Sequence, residues 1–166
     1  MVDLEKIGLG GGCHWCTEAV FQQLKGVAQV EQGYIASLAP YDSLSEGIIV
    51  HFDPQQISLA ILFEVHVHTH RSTKNHSFRA KYRSAVYTFS EEQVYAFAKA
   101  LPSLQQAFSE PIITKTLPFK WFKASPKLIT DYYRKNPDAP FCKRYIIPKL
   151  DFIKKQYPSY SAQKTV

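Results

Sequence analysis

Cys13 and Cys16 are spaced Cys-x-x-Cys directly behind Gly10-Gly11-Gly12. An apolar stretch from Ile7 to Leu9 runs into the glycines. Beyond the thiols, Val20, Phe21 and Leu24 share one helical face, and Gly26 supplies the stop. Cys13 is therefore expected on a tight turn at the opening of a helix. Free N–H groups and the positive end of the helix dipole stabilise a thiolate there. The glycines permit the turn and leave the sulfur open to a substrate. Cys13 reads as an activated nucleophile, with Cys16 as a second thiol one helical turn on, on the same face. A cysteine is more often a small buried hydrophobe. A zinc site, in turn, wants four ligands, commonly a second Cys-x-x-Cys or paired histidines. Only Cys142 remains, alone and distant. The glycine turn favours the reactive thiol over both.

The elements that must hold this turn follow in order. Leu4–Leu9 reads as a buried strand and His14–Leu24 as the first helix. Val27–Ile35 is a second strand, residues 36–45 a loop, and Gly47–Phe52 a third strand closed by Asp53-Pro54. Ile57–Val65 has helical spacing, His66–Lys81 is polar and irregular, and Arg83–Phe89 is a fourth strand. Ser90-Glu91-Glu92-Gln93 is a capping box for a helix to about Leu101. Pro111–Thr116 reads as an edge strand, Lys127–Arg134 as a short helix and Asn136–Phe141 as a proline-bearing loop into Cys142. Ile146–Gln156 is a weaker helix and the last residues are expected to be loose. Strands and helices intermix without strict βαβ repetition, which predicts a compact α+β domain with a mixed sheet and flanking helices. One domain is expected over 1–166, with a core of about 4–134 and a C-terminal loop and helix, 135–158, carrying Cys142.

The 166 residues are 45% hydrophobic and 14% aromatic, enough for one domain with a real core. Neither a signal peptide nor a membrane span is expected. Three cysteines without a disulfide pattern suit a reducing compartment, so a cytoplasmic location is expected. The net charge of +6 is uneven: residues 111–166 carry 12 Lys+Arg against 3 Asp+Glu, and residues 1–110 carry 8 against 11. No nucleic-acid motif accompanies the basic third, which reads as a solvated basic surface rather than a nucleic-acid site.

The run Gly12-Cys13-His14-Trp15-Cys16-Thr17-Glu18-Ala19-Val20-Phe21 resembles the signature of the A-type peptide methionine sulfoxide reductases, where Gly-Cys-Phe-Trp precedes a short Glu-containing helix. The resemblance continues through Gly26-Val27, Gly33-Tyr34, Ser45-Glu46, Phe52-Asp53-Pro54 and Lys81-Tyr82-Arg83-Ser84-Ala85, in family order over roughly residues 6–100. It implies a two-layer sandwich with a ferredoxin-like core. It also implies a reaction on the S-epimer of oxidised methionine, free or in a peptide. The Cys13 thiolate attacks the sulfoxide sulfur, methionine leaves and Cys13 becomes a sulfenic acid. A second cysteine then closes a disulfide, which thioredoxin reduces. No metal or organic cofactor is needed. Sulfoxide oxygen leaves poorly unless protonated, and a carboxylic acid kept neutral by burial can supply the proton. Glu46 matches the family's acid. Tyr34 and Tyr82 match the phenols that hydrogen-bond the oxygen, and Trp15 supplies an apolar wall for the substrate methyl group.

The sequence departs from the family at several places. His14 replaces a Phe beside the nucleophile, a poorer wall for a methyl group but, if protonated, an aid to the thiolate. Ser77 stands in place of an Asp, Val65-His66-Val67-His68-Thr69-His70 in place of His-Asp-Pro-Thr, and Pro126 and Ile129 in place of Glu and His. The Gly-rich cysteine-bearing tail is absent. Cys142 is expected to act as the resolving thiol, with Cys16 as the alternative and the two acting in sequence as a third route.

Two other functions fit parts of the pattern. A general thiol–disulfide oxidoreductase would use Cys13 and Cys16 but leave Glu46 and Tyr82 without a task. A metal-binding module would draw on His66, His68 and His70, which share one face if the segment is extended, with His76, His51 and Cys142.

Overall fold

The computed structural model describes residues 3–162. The expectation of loose final residues therefore falls partly on 163–166, outside the described residues. Six strands form one sheet: β1 (Glu5–Gly10), β2 (Val27–Ala36), β3 (Ser45–Phe52), β4 (Ala85–Thr88), β5 (Lys115–Pro118) and β6 (Trp121–Ala124). Their order is β5-β4-β1-β3-β2-β6. Only the β4–β5 pair is parallel. The inner four strands, with helices α1 (His14–Gln22) and α2 (Leu59–Thr69) as their crossovers, make a ferredoxin-like βαββαβ unit. Helices α3 (Glu91–Gln105), α4 (Tyr132–Lys135) and α5 (Ile147–Gln156) complete the chain.

Side-chain alternation sorts the sheet into two faces. Ile7 and Leu9 of β1 lie opposite Val50 and Ile48 of β3. All four join α1, α2, α3 and α5 in the main core. Ile35, Ile49, Ala85, Tyr87 and Leu117 point the other way, into a smaller cluster covered by Tyr41, Phe89, Phe119 and Phe122. The result is two layers: one of helices and one of sheet with an aromatic underside.

Strand β1 ends where the glycines begin. Gly11 has φ 155°, and a Cβ there would come within 2.4 Å of the His70 ring, so only glycine lets the chain pass between that ring and the start of α1. Cys13 then serves as the N-cap of α1.

The structure differs from the sequence reading in several places; the edge strand expected over Pro111–Thr116 lies at Lys115–Pro118, and the helix expected over Lys127–Arg134 is broken at Asp131 into a 3-10 turn and α4. α2 continues to Thr69, past the expected end at Val65, because Val67 is buried and His66 finds an internal partner. His66 and His68 are thus helical, and the extended face shared with His70 does not form. α3 passes through Pro102 to Gln105, since Leu104 still buries itself in the core. In the capping box, Ser90 accepts from the Gln93 N–H, but Gln93 Oε1 accepts from Phe89 N rather than from Ser90. Strand β6, which no strong alternation marks, pairs along the outer edge of β2.

Candidate active site

Cys13 stands half-buried at the junction of β1 and α1. Its thiol is held below the ordinary cysteine range, chiefly by the Cys16 thiol, which donates to it, and further by the N–H groups of Trp15 and Cys16. Burial and the Glu46 carboxylate work against that shift. Cys16 shows the converse: donating to Cys13 and being buried, it is pushed far up. The pair shares a proton in favour of Cys16, which makes Cys13 the thiol that ionises first.

Glu46 lies under the same helix opening. It is the second residue of β3, on the face shared with Ile48, and is 7% exposed. Its Oε1 accepts from His14 N at 3.1 Å and lies 3.5 Å from His14 Nε2, while Lys81 Nζ is 3.6 Å from Oε2. Tyr34 pairs with Glu46 across the β2–β3 ladder, so the two side chains share a face. The Tyr34 ring meets the His14 ring edge-on at 5.2 Å.

A cleft of about 560 Å³ opens on Cys13 and Cys16. Tyr82, Phe78, Phe141 and Tyr145 supply its aromatic wall. Of the expected site residues Cys13, Cys16 and Tyr82 line it, whereas Glu46 and Tyr34 stand behind its wall and His14 and Trp15 do not line it, against the expectation that they would contact substrate. The His14 ring turns inward, its Nδ1 donating to Gly33 O at 2.9 Å. Trp15 lies flat on Tyr132, with centroids 4.0 Å apart and planes at 2°, and its edge meets Phe141 at 5.5 Å. Successive residues of a helix point roughly 100° apart, so neighbours of a nucleophile in sequence need not face its substrate. Cys142, on a π-helical turn (Cys142–Ile146), is 0% exposed and belongs to the main core. Its thiol is raised by burial and lies close enough to Cys16 to raise that thiol as well.

Three residues of the site have roles that the sequence does not show: Glu18 and His70 stand out there for other reasons, and Lys149 carries no mark. Glu18 is buried, and its two oxygens both accept from Asp131 N at 2.9 Å, while Oε1 also accepts from Gln32 Nε2. This fixes Asp131, at φ 59°, as the start of α4 and so holds Tyr132 against Trp15. His70 donates from Nδ1 to His66 O and accepts at Nε2 from Ser84, whose hydroxyl also meets Thr114 at 2.8 Å. Lys149 reaches the cleft from α5 and donates to Thr69 O.

The histidines do not gather round one point: the His66 and His70 rings lie 4.2 Å apart, but each spends its ring nitrogens elsewhere or leaves one unpartnered, and His51, His68 and His76 lie apart from them. His51 pairs with Glu31 at 2.7 Å, His66 Nε2 donates to Gly10 O at 2.8 Å, and His68 stacks on Phe108. Among the described residues no three His, Cys, Asp or Glu side chains are grouped to hold a metal ion. No helix among them is long and apolar enough to cross a membrane.

A low-pKa thiol backed by a second thiol, on a ferredoxin-like sheet, defines a thiol-based redox protein. The profile described as peptide methionine sulfoxide reductase matches residues 5–161. Peptide methionine sulfoxide reductase MsrA of Thermus thermophilus is 33% identical, over 91% of this chain and 94% of that protein. The reduced form of Mxr1 from Saccharomyces cerevisiae has the same fold, with a TM-score of 0.76 at 22% identity, covering 87% of this chain and 94% of that one. A structure of Mxr1 in complex with Trx2 matches at TM-score 0.61 and 22% identity, over 74% of this chain and 84% of that one. The chain belongs to the peptide methionine sulfoxide reductase family.

Proposed function

We propose that the protein reduces methionine S-sulfoxide, free or peptide-bound, to methionine, with Cys13 as nucleophile. The observation that carries this is the Cys13 sulfur at the mouth of an aromatic cleft, within reach of the Cys16 thiol that lowers its pKa, with the buried Glu46 carboxyl under the same helix opening. The thiolate attacks the sulfoxide sulfur. The sulfoxide oxygen takes a proton from Glu46 and hydrogen bonds from Tyr82 and from Tyr34 beside Glu46. The oxygen ends on Cys13 as a sulfenic acid and the S–O bond to methionine breaks. A second thiol attacks the sulfenic sulfur, and water leaves as a disulfide forms.

Contact favours Cys16 for that first disulfide. Cys142, sealed in the core behind the π-helical turn, then attacks Cys16, forms Cys16–Cys142 and returns Cys13 as thiolate. Thioredoxin, or another dithiol, supplies the two electrons that reopen the disulfide. Cytoplasmic work fits a chain that needs reduced thiols between turnovers.

The test is a dithiothreitol-driven assay on both epimers of a blocked methionine sulfoxide. Turnover of the S-epimer alone, reduced more than about a thousandfold in Cys13→Ser, is expected. Undiminished turnover in that variant would overturn the assignment. Mass mapping of the disulfide after one turnover separates the thiols: Cys13–Cys16 or Cys16–Cys142 fits the route above, and Cys13–Cys142 with free Cys16 contradicts it.

A further inference from the structure

The cleft beside Cys13 is charged as well as aromatic. Arg71 and Lys149 line it, and no Asp or Glu does. Neither cation forms an ion pair among the described residues. Lys149 is half-buried, with one donor spent on Thr69 O, which leaves two N–H groups of its ammonium for other partners. Arg71 is exposed at the rim, and its backbone carbonyl, not its guanidinium, serves the surrounding loop by accepting from Arg79 and Lys74.

We propose that this cleft selects methionine sulfoxide bearing a carboxylate, with Arg71 and Lys149 as the groups that recognise it. The proposal rests on the reductase reading and names the substrate class of that site. Two like charges that converge on one concave surface without a carboxylate between them repel one another, and an anion seated there relieves both. Burial and, after it, Arg71 hold the Lys149 ammonium below its ordinary range, while the Cys16 and Cys13 sulfurs pull it up, so the reactive thiol offsets part of the positive charge and a substrate anion meets the remainder. The two histidines of the cleft, His70 and His76, are both lowered, chiefly by burial, which disfavours a positive charge on either. His76 spends its Nδ1 as an acceptor from Phe78 N. The aromatic wall receives the thioether stem, the thiolate faces the sulfoxide, and the cations face the charged end.

A carboxylate has two sources: the α-carboxylate of a free or C-terminal methionine sulfoxide, and an Asp or Glu beside it in a peptide. The test compares kcat/KM for N-acetyl-methionine S-sulfoxide with its N-methylamide, and for two blocked peptides in which Asp or Lys flanks the oxidised residue. A preference of about tenfold or more is expected for the free acid over the amide, or for the Asp peptide over the Lys peptide. The arm that shows it identifies the source. Arg71→Gln is expected to bring the ratio towards one, Arg71→Glu to invert it, and raised salt to weaken it. Equal kcat/KM across both pairs, or a preference that survives Arg71→Glu and salt, overturns the inference and leaves the reductase reading standing. Absence of turnover on every substrate overturns the reductase reading and the inference with it.

Discussion

On the sheet side of α1, His14 and Glu18 are buried and their polar atoms are met: Gly33 O and Glu46 for the imidazole, Gln32 and Asp131 for the carboxylate. On the cleft side, Cys13 and Cys16 meet chiefly each other, and Lys149 and Arg71 meet no carboxylate. One helix of nine residues thus separates structure from reactivity by rotation alone. The side with filled hydrogen bonds resists change and fixes position. The side with open ones keeps groups whose protonation and bonding can change during turnover. Substitutions on the first should cost stability, and on the second should alter chemistry at little cost in folding.

The largest effect on the structural side should come from pH. His66 is fully buried beneath the glycine turn, with Nε2 donating to Gly10 O and Nδ1 unpartnered. Burial lowers it from 6.5 to about 4, because a proton on Nδ1 would find no acceptor. The unfolded chain takes up that proton near 6.5 and the folded chain does not, so stability is full above 6.5 and falls as pH drops towards 4. The loss is of order 3 kcal/mol from this residue. His70, also held low, adds to it, while Glu18, raised by burial, runs the other way. Urea titrations from pH 7 to pH 4 on wild type and His66→Gln measure it. The variant should lose markedly less stability over that range, and parallel curves would refute the assignment.

Glu18 comes next. Removing it in Glu18→Ala strands the half-buried Asp131 N, leaves Gln32 Nε2 with Ile129 O alone and frees the start of α4. A loss of about 2 kcal/mol is expected, with Glu18→Gln milder because an amide oxygen still accepts. Trp15 fluorescence reports whether Tyr132 leaves its face; an unchanged spectrum and midpoint would show that α4 is held by something else.

The sequence made the first sheet strands and the helix opening legible, because glycine punctuation and period-two alternation are local signals. Ile7, Leu9, Ile48 and Val50 alternate into one core as their spacing demands. The end of α2 and strand β6 were hidden, since the partners that stabilise them, Gly10 O for His66 and the β2 edge for Trp121–Ala124, lie far along the chain. The site divides the same way. Cys13, Cys16 and Tyr82 line one cleft, and Glu46 reaches the same helix opening through His14 N, on elements whose order is readable in the sequence. The family resemblance makes Trp15, and less well His14, a wall for the substrate methyl group, and helical rotation turns both away. Lys149 belongs to a basic helix with many lysines, and only the docking of α5 singles it out.

The smallest effect tests the reactive side itself. If the Cys16 thiol is the main cause of Cys13's low pKa, then Cys16→Ala should move the pH midpoint of Cys13 alkylation upward. Alkylation by iodoacetamide near pH 7 should slow about tenfold, the order expected when one strong donor is lost from a thiolate. Cys16→Ser keeps a donor at the same place and should slow less. Folding should hardly change in either, which distinguishes this side of α1 from the Glu18 side. An unmoved midpoint in Cys16→Ala would assign the thiolate to the N–H groups of Trp15 and Cys16, and so to the helix opening rather than to the thiol pair.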